Sequence, residues 1–220
     1  MYRFFVDNKK NDHFVLSDDL LKHIKVLRIK NENIICIFEE VFYICKLENN
    51  LAMIIEKSDD LNEYENQVIL CPTLINIKRF EWLIQKSAEL GATKLIPMFS
   101  KNMNIKYKDI SKNKMIRWRE ISKNACEQSF RNKIMSIEDP IDFEQAIKII
   151  AKYKVIAHEK INSKKINSLS DDIIILVGPE GGFTENEINL AKNNGFDIVN
   201  LGNRILRSET SSIFLLSIIK

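Results

Sequence analysis

The sequence predicts an α/β protein in which a small β-rich region precedes a mostly parallel sheet covered by helices. Residues 1–66 contain short runs rich in Ile, Val, Phe and Tyr, which are typical of strands. From residue 67 onward, strand-like and helix-like segments alternate, as in a parallel sheet with helices on both faces. Between them, the polar and acidic segment 57–66 (KSDDLNEYEN) indicates a linker. We therefore predict two domains, residues 1–66 and residues 67–220.

The N-terminal region is predicted to be a small β-barrel with one helix. The predicted strands are 3–6, 13–16, 33–38, 42–47 and 51–56. The helix covers residues 18–27, because Leu20, Ile24 and Leu27 recur at helical spacing. Ser17 is its predicted N-cap, and the acidic residues that follow suit a helix N-terminus.

The C-terminal region is predicted from alternating elements with recognisable ends. The predicted strands are 68–71, 93–98, 154–158, 173–177 and 197–201. Helices are predicted at 76–90, which stops at Gly91, at 112–130 and at 213–219. A further helix follows residue 183, because Thr184 and Glu187 match a capping box and Gly195 suits its far end.

Composition narrows the class of protein. The net charge of +3 is mild, but residues 101–123 are rich in Lys and Arg, including Lys106 and Lys108. This segment could attract phosphate or could be a solvated helix face, and charge alone leaves both open.

The start MYRFFVDNKK has no signal-peptide core, and no stretch approaches the roughly 20 apolar residues of a membrane span. We expect a soluble cytoplasmic protein.

The cysteines and histidines do not suggest a metal site. Cysteine occurs singly in apolar surroundings, which predicts buried thiols rather than zinc ligands or disulfides; the positions are Cys36, Cys45, Cys71 and Cys126. His13, His23 and His158 lack ligand spacing, so structural histidines are favoured.

A glycine cluster near residue 180 is the first candidate binding loop. Three of the six glycines are Gly178, Gly181 and Gly182, between a strand and a capped helix. Bare backbone therefore lies at the carboxyl end of a strand, where α/β proteins bind ligands. The spacing matches neither common nucleotide fingerprint. Glu180 would repel a pyrophosphate but tolerate the cationic groups of S-adenosylmethionine. A tight turn without a ligand is the alternative.

A second loop has the same layout. The strand 197–201 runs into Gly202, and the segment NRILRSETSS leads into the last helix. Arg204 and Arg207 flank Ile205 and Leu206, so apolar contacts for an adenine ring could adjoin groups that hold a polar substrate. Alternatively, the two arginines only pair with acidic residues such as Glu180 or Glu209.

Four separated segments resemble a known family. They are LVGPEGGFTENE (176–187), LGNRILRSET (201–210), RFEWLIQKSAELGATKLIPMFS (79–100) and NACEQSFRN (124–132). Together they resemble the RsmE-type uridine N3-methyltransferases of small-subunit ribosomal RNA, in the SPOUT superfamily. HIKVLR (23–28) is similar to a further element of that family, although it is one residue short. Arg79, Asn102 and Phe130 also depart from the family pattern.

The resemblance implies a fold, a cofactor and partners. The fold would be an N-terminal PUA-like β-barrel that binds RNA, followed by a SPOUT α/β domain with a mostly parallel sheet and a trefoil knot. The cofactor would be S-adenosyl-L-methionine, and the protein would be a homodimer. The substrate would be 16S ribosomal RNA, within the small ribosomal subunit.

The resemblance and the two loops together predict the site residues. Cofactor contacts are predicted at Leu176, Gly178, Glu180, Gly181, Gly182, Leu201, Gly202, Ile205, Leu206 and Thr210. RNA contacts are predicted at Arg28, Arg79, Lys86 and Arg204. For catalysis, we expect Arg131 and Arg207 to stabilise negative charge on the uracil carbonyl oxygens. Glu127 is the candidate for a general base or for a group that orients an arginine.

Other readings stay open. Cys126 is expected in the core rather than as a nucleophile, since a deprotonated N3 needs no covalent activation. Trp82 and Trp118 are expected to pack in the core or at a dimer interface. Another SPOUT specificity, such as ribose 2′-O or guanine N1, is the first alternative function. A non-catalytic RNA-binding assembly factor is the second.

Overall fold

The computed structural model describes residues 1–30, 32–103, 110–158 and 171–219, in two compact units. The first comprises Met1–Glu63 with Cys126–Lys133, and the second comprises Tyr64–Ala125 with Ile134–Lys220. The sequence-based division at residue 66 had placed 126–133 in the second domain, whereas the structure packs it in the first unit. Lys106 and Lys108 of the basic segment lie outside the described residues.

The first unit contains one five-stranded sheet and one helix. The strands are β1 (Arg3–Phe5), β2 (His13–Val15), β3 (Asn33–Phe38), β4 (Val41–Glu48) and β5 (Leu51–Ser58), in the order β1-β3-β4-β5-β2. β1 pairs with β3 in parallel, and the other pairs are antiparallel. Helix α1 (Asp18–Val26) starts as predicted, because the Ser17 side chain accepts a hydrogen bond from the Leu20 N–H. Closure of this sheet into a barrel stays a prediction.

The second unit contains a six-stranded parallel sheet. Its strands are β6 (Val68–Pro72), β7 (Lys94–Leu95), β9 (Ser136–Ile137), β11 (Tyr153–Ala157), β12 (Ile173–Val177) and β13 (Asp197–Val199), in the order β13-β11-β12-β6-β7-β9. Strands β8 (Met98–Phe99) and β10 (Ile141–Asp142) form a separate parallel pair. The helices are α2 (Ile77–Glu89), α3 (Lys112–Gln128), α4 (Phe143–Ala146), α5 (Glu185–Asn193) and α6 (Ser208–Ser217). The predicted mostly parallel α/β sheet is confirmed.

Two of the strands predicted in the second unit were too long. The strand predicted at 93–98 is broken between β7 and β8, next to Pro97, which has no N–H to donate to a strand ladder. The Pro97 carbonyl instead accepts from the Ile141 N–H at 3.0 Å, in line with the β8–β10 pairing. The strand predicted at 197–201 ends at Val199, where the second loop begins. Strands β9 and β10 and helix α4 were not predicted.

Two helix ends also differ from the prediction. Helix α3 ends at Gln128 rather than at residue 130, because Phe130 adopts a left-handed φ of 62°. Helix α6 begins at Ser208 rather than at residue 213. Its first turns bury polar side chains, including Glu209 and Ser212, so apolar periodicity did not reveal them.

The cores contain the predicted cysteines and one of the two tryptophans. All four cysteines are buried, as predicted. Trp118 is fully buried, and its ring centre lies 4.8 Å from that of Phe80. Trp82 is half-exposed on α2. No helix in the described ranges is long and apolar enough to cross a membrane.

Candidate active site

The candidate site lies where three neighbouring parallel strands end. β11 lies between β12 and β13, so their carboxyl ends meet at one edge of the sheet. A cavity at this edge is lined by residues at or just after the end of each strand, with Ser208 and Ser211 of α6: they are residues 157–158, 177–183, 200–202 and 204–206. The direction in which successive strands join the sheet reverses here, since β12 lies on one side of β11 and β13 on the other. Such reversals are where open α/β sheets bind ligands.

Two glycines of the first loop, residues 178–183, have close neighbours. A Cβ atom on Gly178 would lie 3.1 Å from the ring of Phe183, and one on Gly181 would lie 3.2 Å from Cβ of Asn102. Gly182 has a φ of 68° and donates its N–H to the Pro179 carbonyl at 2.9 Å. The loop therefore needs glycine for both space and conformation.

Asn102 fixes the first loop from a distant part of the chain. Its Nδ2 donates to the carbonyls of Gly181 at 3.3 Å and Gly182 at 3.1 Å. Sequence reasoning noted Asn102 only as a departure from the family pattern and missed this role. No local pattern could have indicated the contact, because the partners are 79 and 80 residues apart.

The predicted capping box closes the first loop. The Thr184 N–H donates to Glu187 Oε2 at 2.8 Å, and the Glu187 N–H donates to Thr184 Oγ1 at 3.3 Å. The other carboxylate oxygen of Glu187 accepts from the Lys101 N–H at 3.0 Å. One buried carboxylate therefore connects the start of α5 with the segment that carries Asn102.

The second loop, residues 200–207, is more exposed. Gly202 has a φ of 112°, a region that glycine alone adopts readily, and its N–H donates to the Asn200 side chain at 2.7 Å. Ile205 is 81% exposed, and Leu206 is partly buried. Arg204 and Arg207 are both exposed, and Arg207 is the N-cap residue of α6.

The start of α6 adds polar groups to the cavity. Ser208 lines the cavity, and its hydroxyl is buried without a hydrogen-bond partner among the described residues. Oε2 of Glu209, one residue later, is also buried without a hydrogen-bond partner among the described residues. A buried polar atom without a partner is costly, so Ser208 suits a polar ligand in the cavity.

An arginine outside both loops pairs with their acidic residues. Arg79 of α2 donates from Nη1 to Glu180 Oε1 at 2.5 Å, and the same nitrogen lies 3.6 Å from Glu209 Oε1. The hydrogen bond to Glu180 is the main cause that raises the pKa of Arg79. The sequence left open that Arg204 or Arg207 would pair with these carboxylates, but the structure gives this role to Arg79.

Most of the predicted cofactor residues lie at the cavity. Those that line it are Gly178, Glu180, Gly181, Gly182, Leu201, Gly202, Ile205 and Leu206, together with Arg204, which was predicted for RNA. Leu176 is instead fully buried in the core, and Thr210 is exposed on α6 away from the lining. Sequence reasoning missed Ala157, His158, Val177, Pro179, Phe183, Asn200, Ser208 and Ser211. For His158, its place at the end of a predicted strand was the available signal.

Arg131 and Glu127 belong to the first unit and do not line the cavity. Arg131 is 3% exposed, and its Nη2 lies 2.6 Å from Oε2 of Glu63. Glu127 accepts a hydrogen bond from the Phe5 N–H at 3.0 Å. Both charged groups therefore already have partners within that unit, and direct contact with a substrate is not what this geometry favours.

The remaining predicted residues are near the surface. Arg28 of the first unit is exposed and has a φ of 58°. Lys86 pairs with Glu89, one helical turn away on α2, at 2.7 Å. Their contacts with RNA stay predictions. Within the described ranges, no group of three or more His, Cys, Asp and Glu side chains could hold a metal ion.

Comparisons with known proteins agree on one family. The family model described as RNA methyltransferase domain matches residues 62–220. The chain is 41% identical to ribosomal RNA small subunit methyltransferase E of Mesomycoplasma hyopneumoniae (strain 232), over 99% of this chain and 98% of the relative. It is 30% identical to the protein of that name from Bacillus subtilis (strain 168), over 100% of this chain and 96% of the relative.

Solved structures are similar along almost the whole chain. A ribosomal RNA small subunit methyltransferase E from Neisseria gonorrhoeae, bound to S-adenosylmethionine, has a TM-score of 0.88 and 30% identity over 99% of this chain and 95% of that one. A methyltransferase from Legionella pneumophila, in complex with the same cofactor, has a TM-score of 0.85 and 27% identity over 99% of this chain and 96% of that one.

Proposed function

This chain belongs to the ribosomal RNA small subunit methyltransferase E family, and from that premise we propose that it methylates N3 of one uridine in the 16S RNA of the small ribosomal subunit. The resemblance predicted from its sequence motifs is thereby confirmed. The family makes it an S-adenosylmethionine-dependent ribosomal RNA methyltransferase. One observation carries the proposal: both glycine loops line the same cavity at the carboxyl edge of the sheet.

The cavity suits S-adenosylmethionine by its lining. Backbone groups of the two loops can bind polar atoms, and Ile205, Leu206 and Phe183 supply apolar surface for an adenine ring. The buried hydroxyl of Ser208 supplies a hydrogen-bonding group without a partner in the described structure. When bound, the cofactor supplies a methyl group on a positively charged sulfur.

The charges near the cavity also suit a cationic ligand. Glu180 and Glu209 share the single guanidinium of Arg79, so one carboxylate charge is not neutralised within this group. Within this group the uncompensated carboxylate charge attracts a sulfonium and an amino group, although Arg204, which also lines the cavity, carries a positive charge.

We assign the stabilisation of the ionising uracil to Arg207. It is exposed, and it is the last residue of the second loop, directly before α6 and between the cavity residues Leu206 and Ser208 in the chain. An arginine can stabilise the negative charge that spreads onto the uracil carbonyl oxygens when N3 loses its proton. Held geometry can supply roughly 7 to 11 kcal/mol of barrier lowering, whereas a general base typically adds about 10²- to 10⁴-fold. Positioning by the two loops is therefore expected to dominate.

We assign a positioning role to Arg131 and Glu127. Arg131 pairs with Glu63, and the backbone carbonyl of Glu127 accepts from Arg3 Nε at 2.6 Å. These contacts hold the end of α3 and the residues that follow it within the first unit. A role in catalysis would then be exerted through structure rather than through contact with uracil.

The remaining parts of the proposal follow the family. The first unit would be the PUA-like RNA-binding domain, with Arg28 at the RNA, and the second unit would carry the trefoil knot. The protein would form a homodimer, as the resemblance implies. A light-scattering mass near that of one chain would contradict the dimer. The cytoplasm is the proposed location, because that is where ribosomal RNA is modified in bacteria.

The substrate is tested by mass spectrometry of ribosomal RNA from cells that lack this protein. We expect the loss of one 3-methyluridine from 16S RNA and its return when purified protein and S-adenosylmethionine are added to isolated small subunits. A missing 2′-O-methyl nucleotide or 1-methylguanine would instead support one of the other specificities. Failure of the purified protein to bind S-adenosylmethionine in calorimetry would support the non-catalytic alternative.

A further inference from the structure

Arg79 lies on α2, outside both glycine loops, yet it contacts a carboxylate from each side of the cavity. Glu180 belongs to the first loop, and Glu209 belongs to the first turn of α6, directly after the second loop. Nη1 of Arg79 lies 2.5 Å from Glu180 and 3.6 Å from Glu209. We call these three residues the Arg79 cluster.

Because the carboxylate of Glu209 is buried, the guanidinium of Arg79 is needed to compensate its charge. Its side chain is 8% exposed, against 59% for Glu180 and 35% for Arg79. A buried carboxylate that loses its cation is strongly unfavourable, because little water replaces the lost partner. Two carboxylates close together also repel each other without a positive charge between them. Removal of Arg79 should therefore drive Glu180 and Glu209 apart.

From this arrangement we infer that Arg79 is a positioning residue, which holds the first glycine loop against the start of α6 so that both sides of the cavity are in place before the methyl donor binds. The inference rests on the proposed function, because it concerns the same cavity. It replaces the role of Arg79 predicted from sequence, which was contact with RNA.

The same geometry argues against an RNA phosphate at Arg79. The guanidinium already donates to one carboxylate and lies near a second, so its charge is compensated. A phosphate at this point would add a third anion beside the half-exposed Glu180. Arg204 is exposed and also lines the cavity, so it is better suited to a nucleic-acid contact.

The experiment compares Arg79→Gln and Glu180→Gln with a matched control on the same helix. Glu81 of α2 also pairs with an arginine, Arg117, at 2.7 Å, and neither lines the cavity. We expect Arg79→Gln to weaken S-adenosylmethionine binding about tenfold in calorimetry, with partial rescue by Arg79→Lys. Glu180→Gln should give a similar loss, and the double variant should be no worse than either single one. Glu81→Gln should leave the affinity unchanged.

A second measurement needs no cofactor. Hydrogen exchange of the protein alone should be faster at residues 178–182 and 208–211 in Arg79→Gln, and unchanged there in Glu81→Gln. Unchanged exchange and unchanged cofactor affinity, with a raised KM for the small subunit, would overturn the inference and return Arg79 to RNA binding. If the wild-type protein does not bind S-adenosylmethionine, the proposed function fails, while the exchange result still decides whether Arg79 holds the two segments.

Discussion

The two glycine loops have similar sequence layouts but are supported differently. The first loop receives hydrogen bonds from Asn102, a capping box from Glu187 and an ion pair from Arg79. In the second loop, Gly202 bonds to Asn200 only two residues away, and Ile205 is 81% exposed. Contacts from distant parts of the chain thus hold the first loop directly, whereas the second loop is more exposed and is linked to Arg79 through Glu209 at the start of α6.

This difference suggests that the two loops have different roles in cofactor binding and in turnover. A preorganised loop lowers the cost of binding a cofactor, because its conformation is already formed. An exposed loop with Arg204 and Arg207 can close over a large substrate such as folded RNA. We therefore expect changes in the first loop to act mainly on cofactor affinity, and changes after Gly202 to act also on turnover.

The largest effect is expected outside both loops, at the buried ion pair of Arg131 and Glu63. Glu63→Gln breaks the ion pair that the carboxylate makes with the buried guanidinium of Arg131, and loss of one partner of a buried pair typically costs about 3 to 5 kcal/mol. Denaturant unfolding should show this loss, and a double variant with Glu63→Leu and Arg131→Met should recover much of it. Cofactor affinity of the folded protein should not change. A loss below about 1 kcal/mol would contradict the assigned positioning role.

The next largest effect is expected for Arg207→Ala, which tests whether the second loop contributes to the methyl-transfer step. Removal of one group that stabilises a developing negative charge typically lowers kcat about 10²- to 10³-fold. Single-turnover methylation of small subunits should show that loss, with cofactor affinity nearly unchanged. Lys152→Ala, which removes a largely exposed lysine that pairs with Asp171, is the control. An equal loss of cofactor affinity would mean that Arg207 holds the methyl donor instead.

Gly202→Ala should act through backbone conformation. A non-glycine residue at a φ of 112° is strained by roughly 1 to 3 kcal/mol, so the loop should move. Gly195→Ala is a matched control, since Gly195 also has a positive φ, 84°, in open space but does not line the cavity. Both variants should be less stable to heat, but only Gly202→Ala should bind S-adenosylmethionine more weakly. If Gly202→Ala and Gly195→Ala bound S-adenosylmethionine with equal affinity, the turn at Gly202 would not shape the cavity.

Asn102→Ala should have a smaller effect on the first loop. It removes hydrogen bonds to Gly181 and Gly182, each worth about 0.5 to 1.5 kcal/mol. Calorimetry should show cofactor affinity lowered several-fold, with kcat at saturating cofactor retained. Asn194→Ala, which removes a similar bond to the Leu190 carbonyl at the end of α5, should affect stability only. A fall in kcat without a change in affinity would contradict the division between the loops.

The smallest expected effect is that of the Glu81–Arg117 ion pair on stability and its pH dependence. This pair is the control for Arg79, because Glu81 lies on the same helix. The hydrogen bond from Arg117 lowers the pKa of Glu81 below its usual 4.5. The pair therefore adds stability above that pKa and loses it as the pH falls through the lowered value. Arg117 is largely exposed, so thermal unfolding of Arg117→Gln should differ only slightly from wild type at neutral pH. A large difference would disqualify the pair as a control.

Local features of the site could be predicted because their causes are local. The capping box of Thr184 and Glu187 involves residues three apart, and the positive φ of Gly182 suits the glycine found there. Strand β12 has the predicted bounds because five consecutive apolar residues suit a strand buried on both faces. These features placed the first loop correctly without any tertiary information.

The α/β class, the capped helix after the first loop and the two glycine turns follow from the amino-acid sequence, since short-range sterics and hydrogen bonds control them. Which distant groups meet at these turns depends on the tertiary fold. Arg79 reaches Glu180 across 101 residues, and Arg131 reaches Glu63 across 68. Such pairs depend on the order in which strands join the sheet and on how helices pack, and no periodicity in the chain encodes that order.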